Sequence, residues 1–106
     1  MIINIKHHGI ELTPAIKQYA EEKMSTLQKY FASIRYIDVE VGKSSHQHKG
    51  EIFECKVIVQ IGGDVIRLEK EAEDLYKAID KVRDHLRIEL ADLKKRLEER
   101  STGKDV

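Results

Sequence analysis

Residues 51–71 read EIFECKVIVQIGGDVIRLEKE. From Phe53 onward apolar side chains recur at every second position, through Cys55, Val57, Val59 and Ile61. Glu54, Lys56 and Gln60 take the intervening places. That period belongs to a strand over 51–61 with one face on a core. Gly62-Gly63 follows, and a glycine pair between two such runs marks a tight hairpin. VIRLEKE (65–71) then returns as a second arm, with Ile66 and Leu68 on the core side and Arg67 and Glu69 outward. Cys55 falls on the apolar face and is expected to be a small buried hydrophobe, not a nucleophile.

A hairpin with one greasy face must be covered, and both flanks supply helices. C-terminal to it, Leu75, Ile79, Val82, Leu86, Leu90, Leu93 and Leu97 recur by three or four. This seam predicts a helix from about Asp74 to Arg100, laid on the sheet. Before the hairpin, IRYIDVEV (34–41) is a strand with Ile37, Val39 and Val41 inward, followed by a polar loop over 42–50. His46 and His48 in that loop have no carboxylate or thiol at ligand spacing, so no metal site is expected there.

Further upstream lies ELTPAIKQYAEEKMSTLQKYF (11–31). Thr13 before Pro14 is a hydroxyl N-cap followed by proline at the first helical position. Ile16, Ala20, Met24, Leu27 and Phe31 form its buried stripe, with Tyr19 and Tyr30 expected on the shoulder of the core in preference to stacking on bases. IINIKHH (2–8) is a short strand with Ile3 and Ile5 inward, and adjacent His7 and His8 point to opposite faces. The order is β-α-β-β-β-α. This is an α+β fold: a four-stranded sheet with both helices on one face, its first two strands parallel across a helical crossover. A single domain over 1–100 is expected, with a frayed tail at 101–106.

The chain has 106 residues, 19 basic and 19 acidic side chains and a formal net charge of +0. Such balance argues against an indiscriminate coat for RNA or DNA, which is usually strongly basic. It leaves room for a local patch. One cysteine rules out an internal disulfide and fits a reducing cytoplasm. No stretch approaches the ~18 apolar residues of a membrane span. No nucleophile-histidine-carboxylate set and no glycine-rich phosphate loop between strand and helix is present. No catalysis, cofactor, metal or small-molecule substrate is expected.

Three segments together resemble the ribosome hibernation-promoting factor family, also called ribosome-associated inhibitor Y or sigma-54 modulation proteins. They are ELTPAIKQYAEEKMSTLQKYF, the Gly-Gly hairpin and EAEDLYKAIDKVRDHL (71–86), and the likeness covers about 1–97. The resemblance implies a fold similar in outline to the double-stranded-RNA-binding domain. It also implies a short form, without the extra C-terminal domain of long members. The implied function is inhibition of translation in the cytoplasm under stress. The implied partner is the small ribosomal subunit with its 16S-type RNA, bound in the channel for messenger and transfer RNA.

By the same resemblance Lys23 matches a basic position of the family's first helix, and Lys29 lies near its basic end. Members commonly continue DKLxRQLxKxK after the Tyr/Ala/Ile motif. Here His85 replaces a lysine, Ile88 an arginine, Glu89 a glutamine and Asp92 a lysine, while Lys94 is retained. From Glu73 to Arg100 there are eight acids and eight bases. On a helical wheel Arg83, Arg87 and Lys94 share one flank with Tyr76. Lys77, Lys81 and Lys95 share another near His85, broken by Asp92 and Glu99. The expected RNA-contacting set is therefore Lys23, Lys29, Lys81, Arg83, His85, Arg87, Lys94 and Lys95.

Two other readings stand beside this one. A free-standing duplex-RNA module would want lysines where Glu73-Asp74 opens the last helix, and acids there suit the helix dipole but repel phosphate. A protein-interaction module would instead use the mixed-charge helix, with Ile88 exposed on it, and bind RNA weakly or not at all.

Overall fold

The computed structural model describes residues 1–44 and 50–104. The elements run β1 (Ile2–His8), α1 (Pro14–Ser25), a 3₁₀ turn (Thr26–Lys29), β2 (Ile34–Lys43), β3 (Phe53–Ile61), β4 (Asp64–Ala72) and α2 (Leu75–Lys104). His46, His48 and Lys49 lie outside the described residues. The sheet order is β1-β2-β3-β4. β1 pairs parallel with β2, and the other two pairings are antiparallel. This is the α+β arrangement expected above.

The alternation in β3 works as read. Cys55, Val57 and Val59 are fully buried and meet Ile37, Val39 and Val41 of β2. Ile79, Val82, Leu86 and Leu90 of α2 lie over this face, and Ala20, Met24 and Leu27 complete the same core beside them. Both helices therefore share one sheet face. At the hairpin Ile61 pairs with Asp64, and Gly62 takes φ +59, which a side chain would resist. Burial pushes the Cys55 thiol up to about 12.

Three details depart from the expectation. The first helix ends at Ser25 rather than running to Phe31. Ser25 Oγ donates to the Glu21 carbonyl and Thr26 Oγ1 to the Lys23 carbonyl, both at 2.6 Å. Such back-bonding competes with the helical ladder and tightens the last turn into 3₁₀. Leu27 and Phe31 still turn inward, but Tyr30 is swung out to 56% exposure instead of sitting on the core's shoulder.

The second departure is Glu54, which alternation puts on the open sheet face but which is only 1% exposed. The His8 ring lies over Gly42, its parallel partner, and reaches Glu54 Oε1 at 2.9 Å. Gly42 permits this, because a Cβ there would meet the imidazole at 2.7 Å. Lys56 adds a cation 3.6 Å from the same oxygen.

The third is length. α2 continues to Lys104, about 45 Å at the usual rise, and outruns the sheet. Leu93 is its last buried seam residue, and Leu97 is 39% exposed. No helix among the described residues is long and apolar enough to cross a membrane.

Candidate nucleic-acid interface

α1 and the 3₁₀ turn lie beside α2, and the seam between them is where most of the expected cations meet. Its upper part is a polar clasp. The Tyr19 hydroxyl donates to Asp80 Oδ1 at 2.6 Å, while Lys23 Nζ approaches the same oxygen at 3.6 Å. Lys23 also lies over the Tyr19 ring, 5.3 Å from its centroid. Tyr76 meets Tyr19 edge-on with centroids 4.8 Å apart. The hydrogen bond to Asp80, then burial and the Asp80 charge, raise the Tyr19 phenol to about 12. This part of the seam holds the two helices together, and Asp80 takes up much of the Lys23 charge.

Two turns further along α2 the seam changes character. Arg87 places its guanidinium 5.3 Å from the centroid of the Tyr30 ring. Lys29, Tyr30 and Phe31 form one wall of an open groove; Arg87, Ala91, Lys94, Lys95 and Glu98 form the other. Four cations face one carboxylate there. Among the described residues Lys29, Arg87, Lys94 and Lys95 make no ion pair with an acid.

The other four members of the expected set are engaged. Lys23 meets Asp80, and Arg83 Nε donates to Asp84 Oδ1 at 2.8 Å. Lys81 Nζ donates to the Glu71 carbonyl at 3.2 Å. His85 Nε2 lies 3.2 Å from Glu89 Oε1, one turn along the helix. Lys81 and His85 sit on the flank that carries exposed Ile88, with Lys70, Glu71 and Asp84. The groove thus gathers Lys29, Arg87, Lys94 and Lys95, with Arg83 and Lys23 continuing the same seam, and leaves Lys81 and His85 on another side.

Charge counting missed Tyr30. It was visible as an aromatic beside Lys29, but its outward turn depends on the Ser25-Thr26 back-bonds. Asp74, whose acidity argued against duplex binding, caps α2: its Oδ1 accepts from the Tyr76 and Lys77 amides at 2.7 and 3.3 Å. Among the described residues, the open sheet face offers no comparable cationic surface. Lys6, Lys56 and Arg67 alternate there with Asp38, Glu40 and Glu69.

Residues 3–98 match the family model described as sigma 54 modulation protein / S30EA ribosomal protein. A ribosome hibernation promoting factor from Azotobacter vinelandii is 31% identical over 103 residues, covering 97% of this chain and 92% of the relative. The N-terminal domain of Thermus thermophilus Protein Y superposes with a TM-score of 0.71 at 28% identity, covering 88% of this chain and 99% of that one. A ribosomal subunit interface protein from Coxiella burnetii shares the fold, with a TM-score of 0.79 at 22% identity, over 90% of this chain and 99% of its own.

Proposed function

This chain belongs to the sigma 54 modulation protein / S30EA ribosomal protein family, and from that membership we propose that it is a ribosome hibernation factor. It binds the small subunit through 16S-type RNA, in the channel otherwise used by messenger and transfer RNA, and silences translation in the cytoplasm under stress. The observation that carries this reading is the groove between the 3₁₀ turn and α2. Although the chain has zero net charge, this one groove collects four cations, Lys29, Arg87, Lys94 and Lys95, that make no ion pair among the described residues. Phosphates binding there would displace counterions without first breaking internal ion pairs. Lys23 and Arg83 extend the contact along the seam, at the cost of sharing their charge with Asp80 and Asp84.

Co-sedimentation with small subunits over a salt series tests the proposal. Wild type is expected in the subunit fraction at physiological salt and at the top of the gradient at high salt. Arg87→Glu/Lys94→Glu is expected at the top throughout. Subunits preloaded with messenger and transfer RNA should exclude the wild type. Wild-type protein that never leaves the top of a physiological-salt gradient would overturn the assignment.

One observation favours a second reading. Ile88 is 61% exposed beside Lys81 and His85, outside the groove lining, which suits a protein partner. Ile88→Asp with intact fold and intact ribosome binding, but with a lost association, would establish that partner as an additional contact.

A further inference from the structure

We propose that the Tyr30–Arg87 pair is a seat for one unpaired nucleotide of an RNA strand, the base stacking on the pair and the adjoining phosphates lying on Lys29 and Lys94. The inference rests on the ribosome-binding reading and sharpens it, because it names which part of an RNA the groove takes. Phosphate alone would call for cations alone. This groove instead sets a half-exposed aromatic ring, with Phe31 and Ala91 beside it, among unpaired cations. Apolar lining offers nothing to a phosphate but suits the face of a base.

Arg87 sets its guanidinium over a face of that ring rather than against a carboxylate, so an incoming base would stack on the outer side of the pair. Bases inside a duplex have both faces covered by neighbours, so such a surface selects a base that has left the stack. Lys94 lies about 10 Å further along α2, within reach of a neighbouring phosphate on the same strand. Lys29 adjoins Tyr30 and brackets the base from the other side. The seat exists because the helix breaks at Ser25: a continued α-helix would not present Tyr30 outward.

The experiment uses the whole chain and labelled oligoribonucleotides, read by fluorescence anisotropy and by tyrosine fluorescence, which no tryptophan obscures. An unstructured strand of about eight nucleotides is expected to bind and to quench the tyrosine signal. A blunt duplex of equal length is expected to bind more weakly and without quenching. Tyr30→Ala should weaken the single strand about tenfold while leaving the duplex unchanged, and Tyr30→Phe should keep wild-type affinity. Lys94→Gln should lower the log-log salt slope for the strand by about 0.7.

Equal affinity of wild type and Tyr30→Ala for the strand would overturn the seat, as would equal loss on strand and duplex. Free adenosine monophosphate binding as tightly as the strand would reassign the site to a mononucleotide. Displacement of the strand by polyglutamate at equal charge would reassign it to acidic peptides. Ribosome co-sedimentation of the same variants separates the two proposals. Wild type and Tyr30→Ala sedimenting alike, with unchanged strand binding, would sink the seat and leave the hibernation reading standing. Absence of wild-type sedimentation would sink that reading while the oligonucleotide result still decides the seat.

Discussion

Gly42 shows how much one missing side chain permits. Its bare backbone lets the His8 ring cross from β1 to Glu54 on β3, spanning a strand. Gly42→Ala is expected to destabilise the fold by roughly 1–3 kcal/mol, because the new methyl meets both the His8 carbonyl and its ring. A lowered urea midpoint with unchanged slope would register it, and an unchanged midpoint would contradict it. Tyr19 titrates differently from an ordinary tyrosine for an equally local reason. Its neutral form is favoured by donating to Asp80, so the folded phenol ionises near 12 and the unfolded one near 10. The folded state holds the proton more tightly, so this contribution is intact below about pH 10 and is lost as pH rises towards 12. Tyr19→Phe should remove the late component of the tyrosinate titration and cost roughly 0.5–1.5 kcal/mol. Cys55 should resist maleimide at neutral pH until denaturant is added, since its buried thiol ionises only near 12.

At the level of elements, α2 has two halves with different duties. Through Leu93 it closes the core; beyond that it stands clear of the sheet as a charged rod. Leu86→Ala is expected to cost roughly 2–5 kcal/mol, since it opens a cavity against the sheet. Leu97→Ala, one face along but past the sheet, should stay within roughly 0.5 kcal/mol. Thermal unfolding of the two variants distinguishes a helix packed along its whole length from one that overhangs. α1 teaches a complementary lesson. Thr13 and Pro14 set its start as read, with Thr13 Oγ1 accepting from the Ile16 amide at 3.2 Å. Its end is not legible in the sequence, because apolar spacing is nearly the same for a last α turn and a 3₁₀ turn, while the hydroxyls of Ser25 and Thr26 choose between them.

For the whole molecule, net charge is a poor guide to binding, because pairing is spatial. Eight acids and eight bases on α2 and its approach cancel in number. They do not cancel in place, since Asp80, Asp84, Glu89 and the Glu71 carbonyl take up Lys23, Arg83, His85 and Lys81. On the ribosome this sorting predicts a contrast. Lys94→Gln should reduce the salt slope of small-subunit binding by about 0.7, whereas Lys81→Gln, on the Ile88 flank, should leave it unchanged. Equal slopes for the two variants would mean that the groove is not the contacting surface.

The order of elements, the inward face of every strand and the seam of α2 as far as Leu93 were determined by the sequence alone. Alternation and helical spacing are local periodicities, and burying an apolar face leaves little choice of arrangement. The one cysteine's burial followed from the same parity. What only the tertiary structure decided was which charges are spent. Lys29 and Lys94 look no different from Lys23 and Lys81 along the chain, and a wheel drawn for α2 does not show what α1 or β4 brings against it. Tyr30 became a surface feature, and Glu54 a buried one, through contacts between segments distant in sequence. Electrostatic pairing and side-chain cover depend on distances between elements, and those distances exist only once the sheet and helices have packed.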